Sequence, residues 1–356
     1  MSLKTPFVDA MRAQPDNLAL ARTTVGRSLD TAVLAPWEPG ETVGVVAMGA
    51  SSHSGHALVA VLAGAGVRAV NLVASDLSAG APGFQPADHY VIVSESGRSP
   101  EPIAAGRGLT VGRRIGISNF PAAPLAEVVD VALDLGGFDD SPVYTSGYTA
   151  TLLAYALLLD RLGVVPAGPE VAAVPDTVAA ALAEYDDVAR RIAADVAGAT
   201  SIDVVGRGTS YASATEAALM FREGLRVPAA GFETFQYLHG PMEPLDDHAV
   251  LIVFGDGREL TVPDSALTSG AHVVLVTTAP EAAIPSAGHP RLTIVPLAPG
   301  LGGLVRPIVE IVIMQLVMAH ASETRDFTLE EFLFTQTDTK LDEQPTEVLE
   351  PATPQA

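Results

Sequence analysis

The chain has 356 residues, enough for two ordinary domains with ample core; 48% are hydrophobic but only 5% aromatic, so Ala, Val, Leu and Ile must build that core. A formal net charge of −22 argues against nucleic acid or an anionic membrane surface as partner, because both need clustered Lys and Arg. With no cysteine, thiol catalysis, disulfides and zinc–thiolate sites are excluded.

The N-terminus, MSLKTPFVDAMRAQP, lacks the uninterrupted apolar stretch of a signal peptide, which predicts a cytoplasmic protein. Residues 1–36 form an N-terminal segment with helix predicted from about Phe7 to Thr31. A first domain is expected over 37–163, with strands at Val43–Ala47, Tyr90–Val93 and Arg114–Ile117. Helical lengths follow at Gly55–Gly64 and at Leu152–Gly163, which closes the domain. Three prolines in VVPAGPEVAAVPD then mark a linker, and with a helix over about Thr177–Val196 it fills 164–196. A second domain, 197–325, repeats the alternation, with strands at Ile202–Val205, Val250–Phe254 and His272–Val276 and a helix at Ser213–Glu223. Its apolar end, Leu304–Ala321, contains Arg306, Pro307, Glu310 and Gln315, so a buried helix is predicted there rather than a membrane span. Residues 326–356 form a tail; from Leu341 it carries four acids and no base and is expected to be disordered or laid along the surface. Continuous apolar runs suit strands covered on both faces, and strand–helix alternation predicts an α/β architecture of doubly wound parallel sheets.

The chain also repeats itself. MGASS (Met48–Ser52) aligns with RGTSY (Arg207–Tyr211) at an offset of 159, and DHYV (Asp88–Val91) with DHAV (Asp247–Val250) at the same offset. One residue of slippage later SESGR (Ser94–Arg98) faces FGDGR (Phe254–Arg258), and Ile117 meets Val276, again 159 apart. These matches in order, each at a strand end, predict two copies of one unit related by a pseudo-twofold, with Gly49 on Gly208.

In doubly wound sheets ligands sit beyond the carboxyl ends of strands, where helix N-termini present unpaired amides. VVGRGTSY supplies Thr209, Ser210 and Tyr211 to such a turn, and VIVSESGRSPEP supplies Ser94, Ser96 and Ser99 to another. Serine hydroxyls with helix amides make a phosphate cradle that needs no lysine and no metal; the plainer alternative is a strand–helix connection with capping serines. A Walker loop lacks its lysine here, and a dinucleotide fingerprint lacks its third glycine, replaced by Ala212. Further on, Glu216 and Glu223 stand seven apart, on one helix face, and His239 follows in HGP, where Gly and Pro force a turn.

GRGTSY, SESGRS, ISNFPAAPLAEVVDVAL (Ile117–Leu133), YTSGYTATLLAYALLL (Tyr144–Leu159) and MRAQPDNL together resemble the double-SIS (sugar isomerase) domain family, over roughly Phe7–Ala321. The resemblance is greatest to the isomerase half of glutamine:fructose-6-phosphate amidotransferase. It implies two tandem SIS-type domains, a phosphorylated sugar or amino sugar as ligand, no cofactor or metal, and a homodimer with sites shared between subunits. No glutaminase domain is expected ahead of these residues. The resemblance places the sugar phosphate at Gly49, Ser51, Ser94, Glu95, Ser96 and Ser99, or else at Arg207, Thr209 and Ser210. It makes Glu223 the base that moves a proton between C1 and C2, and His239, from the partner subunit, the group that assists ring opening. Lys340 is the late lysine available to enter the site. Ala50 for a threonine weakens the phosphate site modestly, and Glu95 for a glutamine or similar residue bears on the ligand's identity; Met220 for a lysine, with Lys340 the one late candidate for the C-terminal lysine, turns the expectation away from glucosamine-6-phosphate synthesis. The function expected is a phosphosugar isomerase or deaminase acting on a hexose or hexosamine phosphate. The alternatives are a deglycase of phosphorylated sugar–amine adducts and a non-catalytic sugar-phosphate sensor.

Overall fold

The computed structural model describes residues 5–81, 83–120, 122–334, 336 and 338–341; apart from Leu341, the acidic tail expected to be disordered or surface-bound lies outside them. Two short helices open the chain, α1 (Phe7–Arg12) and α2 (Gln14–Thr31), where sequence predicts one segment. The break falls at Ala13, just ahead of Pro15, which has no amide to continue the α1 ladder and suits the first turn of α2. The first unit then runs β1 (Thr42–Ala47), α3 (Gly49–Gly64), β2 (Arg68–Val73), α4 (Ala74–Ser78), β3 (His89–Val93), α5 (Pro100–Gly108), β4 (Arg114–Ser118), β5 (Val131–Asp134) and α6 (Ser146–Arg161). Helices α7 (Pro169–Ala172), α8 (Val174–Glu184) and α9 (Asp186–Gly198) connect the units. The second unit follows as β6 (Ser201–Gly206), α10 (Ser210–Leu225), β7 (Ala229–Glu233), α11 (Thr234–Leu238), β8 (Ala249–Phe254), α12 (Val262–Ala266), β9 (His272–Thr277), β10 (Leu292–Pro296) and α13 (Val305–Thr324).

Both sheets have five strands, all parallel, in the orders β2-β1-β3-β4-β5 and β7-β6-β8-β9-β10. Counted from the start of each unit these are the same order, 2-1-3-4-5. Strands β1 and β6 stand 159 residues apart along their whole length, as the repeat requires. Gly49 and Gly208 both take left-handed backbone, with φ of +52° and +63°, so the turn out of the first strand has the same unusual geometry in each unit.

The six strands legible in the sequence are the three central ones of each sheet; the edge strands β2, β5, β7 and β10 were not predicted. The difference is burial. In β3, Val91 and Val93 join a core shared by both units, while Tyr90 and Ile92 face a separate cluster with Ile103 of α5. In β8, Val250, Ile252 and Phe254 point to the shared core, and Leu251 and Val253 to an outer cluster with Val262 of α12. Central strands are covered on both faces and read as unbroken apolar runs, whereas edge strand β2 alternates between exposed and half-buried positions. The shared core lies between the sheets and is filled by α2, α3, α6, α10 and α13. Helix α13 is long and apolar enough to cross a bilayer, yet 94% of that stretch is buried in the fold.

Candidate active site

The β3–α5 loop holds the predicted serines. Ser94, Glu95 and Ser96 are buried and Ser99 half-buried. The Ser94 hydroxyl donates to the Ser99 hydroxyl (3.1 Å), and the Ser96 hydroxyl accepts from the Arg98 amide (3.3 Å). Gly97 makes this tight turn possible: its φ is +64°, and a Cβ there would sit 2.4 Å from the Ala123 Cβ. The loop delivers the chain into the N-terminus of α5, where Pro100 and Pro102 carry no amide hydrogen and the Ile103 amide already donates to the Ser99 carbonyl (3.4 Å), so the donors on this side are mainly the serine hydroxyls.

Against this loop stand the start of α3 and the start of α6. Together they enclose a small recess lined by Ala50, Ser51, Ser54, Glu95, Tyr144, Gly147, Tyr148 and Thr151. A larger and mostly apolar recess of about 340 Å³, lined by Val61, Leu159, Val165 and Leu304 among others, contains none of the predicted site residues. Gly49 is exposed and Ser51 half-buried at the rim of α3. Glu95 accepts from Asn119 Nδ2 (2.9 Å) and packs against Gly147. Burial, and then the neighbouring charge of Asp140, push the Glu95 carboxyl up to about 7; hydrogen bonds from Asn119 and Tyr144 and the charge of Lys340 oppose the rise. Asp140 is raised by burial too, although the Ser141, Thr145 and Gly147 amides and the Thr145 hydroxyl all donate to it.

Lys340 does reach this recess. Its ammonium donates to the Tyr144 hydroxyl (3.1 Å), and the Leu341 amide donates to the Arg98 carbonyl (2.9 Å), which latches the chain end onto the serine loop.

The second cluster lies between the two units. Glu216 on α10 is buried (2% exposed), and its Oε2 is 3.0 Å from Nδ1 of His53 on α3, whose side chain is 24% exposed. Two helical turns on, Glu223 is half-buried, and its carboxyl is raised to about 7 by burial and then by the charge of Glu216, with His53 pulling the other way. Met220 lies between the two glutamates and is buried in the core. Tyr148, which lines the small recess, feels the charge of Glu216 and is pushed well above its ordinary value, chiefly by burial. It also donates to the Ala212 carbonyl (3.2 Å), so it ties the serine-loop recess to α10.

The alternative set is arranged differently. Ser210 is buried and its hydroxyl donates to Glu310 (2.8 Å), as does that of Ser213 (2.5 Å). Glu310 is paired with Arg306 (2.7 Å), which also pairs with Asp256. Arg207 is exposed over the Phe235 ring and Thr209 is half-buried. The loop that corresponds to the serine loop, after β8, is satisfied by its own acids. Asp256 accepts from Thr277 (2.8 Å) and the Thr278 amide (2.7 Å), and Glu259 accepts from the Gly257 amide (3.1 Å). Negative charge of the chain itself occupies the second unit's cradle, so the two copies are chemically unequal.

His239 caps α11 and is exposed, and its ring makes no hydrogen bond or ion pair with any described residue. Among the described residues no group of three or more His, Asp or Glu side chains could hold a metal ion. Sequence reading missed His53, Tyr148, Asn119 and Glu310. One signal existed for His53: it stands where the second copy has Ala212, 159 residues on, so it is a polar departure inside a repeat.

Residues 195–299 match the SIS domain family. The chain is 27% identical over 250 residues to glutamine–fructose-6-phosphate aminotransferase (isomerizing) of Zymomonas mobilis, a match that covers 65% of this chain and 40% of that protein. The matched region thus spans about two fifths of the length of such relatives. The fold is shared with the C-terminal domain of glucosamine-fructose-6-phosphate aminotransferase from Francisella tularensis (TM-score 0.75, 16% identity, 93% of this chain and 99% of that one). It is shared also with glucosamine-6-phosphate deaminase from Thermotoga maritima (TM-score 0.68, 16% identity, 90% and 97%). The second unit therefore matches the SIS domain, and across both units the fold resembles the isomerase half of glutamine–fructose-6-phosphate aminotransferase.

Proposed function

We propose that the chain is a phosphosugar isomerase or deaminase that acts on a hexose or hexosamine phosphate and works as a cytoplasmic homodimer. The observation that carries this reading is Glu223, a shielded carboxyl held at about 7, because a base that takes a proton from one carbon and returns it to the next works best with a pKa near the working pH. The serine loop supports it: the hydroxyls of Ser51, Ser94, Ser96 and Ser99 offer donors to a phosphate, and Gly49 lets α3 approach them. Glu95 would repel a phosphate dianion, and it is compatible with one when protonated or when turned to Lys340. His239, exposed on α11, is available to the site of a partner subunit. Sugar–amine adducts such as a deglycase would take fit the same groups, since only the substituent at the reacting carbon differs. A sugar-phosphate sensor without turnover is the second reading, favoured by Met220, which puts an apolar side chain between the two glutamates.

Turnover and thermal-shift screening with fructose 6-phosphate, glucosamine 6-phosphate and a phosphorylated sugar–lysine adduct decide between them. The enzyme reading expects turnover of at least one, lost by roughly 10²–10⁴-fold in Glu223→Gln with binding retained. Stabilisation without turnover selects the sensor, and no response to any of the three removes both. Mixing Glu223→Gln with His239→Asn chains should restore activity once subunits exchange; exchange without recovery rules out the shared site.

A further inference from the structure

The His53–Glu216 pair has the form of an oriented acid–base group. Nδ1 of His53 is held by a carboxylate that is itself 2% exposed, while Nε2 has no hydrogen-bond partner among the described residues on a side chain that is 24% exposed. A carboxylate on one ring nitrogen fixes the tautomer, placing the proton on Nδ1 and the lone pair on Nε2. The pair also joins α3 of one unit to α10 of the other, so it exists only once the two units have packed. Ser51 and Ser54, which line the small recess, flank His53 on the same helix, and Glu223 is close enough to feel its charge.

Resting on the sugar-phosphate reading above, we propose that His53 and Glu216 form an acid–base dyad in which Nε2 of His53 moves the proton between the oxygen on C1 and the oxygen or amine nitrogen on C2, while Glu223 moves the carbon-bound one. The step balances without a further reactant. Glu223 takes the C2 proton of the open-chain aldose, and the C1 carbonyl becomes an enediolate oxygen. Neutral His53 takes the proton from the oxygen on C2, is held as imidazolium by Glu216, and hands that proton to the oxygen on C1. The C2 carbonyl then forms as Glu223 returns its proton to C1, leaving both groups as they began. Glu216 is a positioning residue in this scheme. The other titratable groups that feel His53 are His56 on its own helix and Glu223 on α10. Around them, Tyr211 of α10 stacks on His56 and feels Glu233 of β7, and Tyr148 of α6 feels Glu216 and Glu310 of α13. His56 is pushed down to about 4 by burial and then by His53, so at neutral pH it adds no charge.

Kinetics of the full-length protein on fructose 6-phosphate and glucosamine 6-phosphate between about pH 5.5 and 9 test this, together with NMR of 15N-histidine-labelled protein. His53→Asn is expected to lower kcat by about 100-fold or more with KM within threefold, and to erase one limb of the pH–rate profile. Exchange of the carbon-bound substrate proton with deuterated solvent, which Glu223 performs, should fall less than net turnover. In the NMR spectra the wild type should show the Nδ1–H tautomer of His53, lost in Glu216→Leu, which leaves Nδ1 no acceptor. A His53→Asn enzyme that keeps both limbs and a rate within threefold overturns the proposal, even if its melting temperature drops, because that pattern belongs to a purely structural bridge. If the wild type turns over neither sugar, the sugar-phosphate reading fails, and an Nε2–H tautomer, or one indifferent to Glu216→Leu, overturns the dyad on its own.

Discussion

Replacing Glu223 by Gln should stabilise the protein while disabling it, and the gain should depend on pH. In the fold the Glu223 carboxyl sits at about 7 against an ordinary 4.5, so the folded state resists its ionisation. Below pH 4.5 the carboxyl is protonated in both folded and unfolded chains and costs nothing. As pH rises from 4.5 towards 7, the unfolded chain releases the proton and the folded one holds it, so stability falls; above 7 the loss is complete. At 1.36 kcal/mol per unit this amounts to about 3 kcal/mol at pH 8, or about 4 °C in Tm for a chain of this length. Gln cannot ionise and removes the loss, so wild type and variant should have similar stability at pH 4.5, diverge up to about pH 7 and run parallel above it. Urea melts at half-unit steps of pH measure the divergence directly. Glu95 provides a parallel case, since its carboxyl also sits at about 7. Glu95→Gln should remove a slope of its own, and the double variant should lose both contributions over the same window. Parallel wild-type and Glu223→Gln curves from pH 5 to 8 would refute the reasoning, because they would mean that Glu223 ionises freely in the fold.

Ser96→Ala removes one donor to a charged ligand and should weaken fructose 6-phosphate binding by about 1 kcal/mol or more, read by calorimetry. Unchanged affinity would shift the phosphate to Arg207 and Thr209. Glu310→Ala deletes the acceptor of Ser210 and Ser213 and the buried partner of Arg306, and should cost about 3 kcal/mol in a urea melt. A loss under about 1 kcal/mol would show that the network contributes little to the packing of α10 on α13.

Much of the architecture is local and was therefore legible in the sequence. The repeat, the equivalent turn glycines and the six central strands each depend on a few neighbouring residues: a turn that glycine suits, or an apolar run covered on both faces. The edge strands escaped because half of their side chains meet solvent and the apolar run is broken. The serine loop and the spacing of Glu216 and Glu223 were readable for the same reason, since one turn and one helix place them. What those groups meet was settled only when the units packed. His53 lies 163 residues before Glu216, Ser210 lies 100 before Glu310, and Lys340 lies 196 beyond Tyr144. No periodicity encodes such pairs. The same strand–turn–helix motif accordingly became a loop lined by hydroxyls in the first unit and, in the second, a loop filled by its own carboxylates. The shared apolar core brings α3, α10 and α13 together, and that packing decided which serines stay available and which carboxylates lose their water.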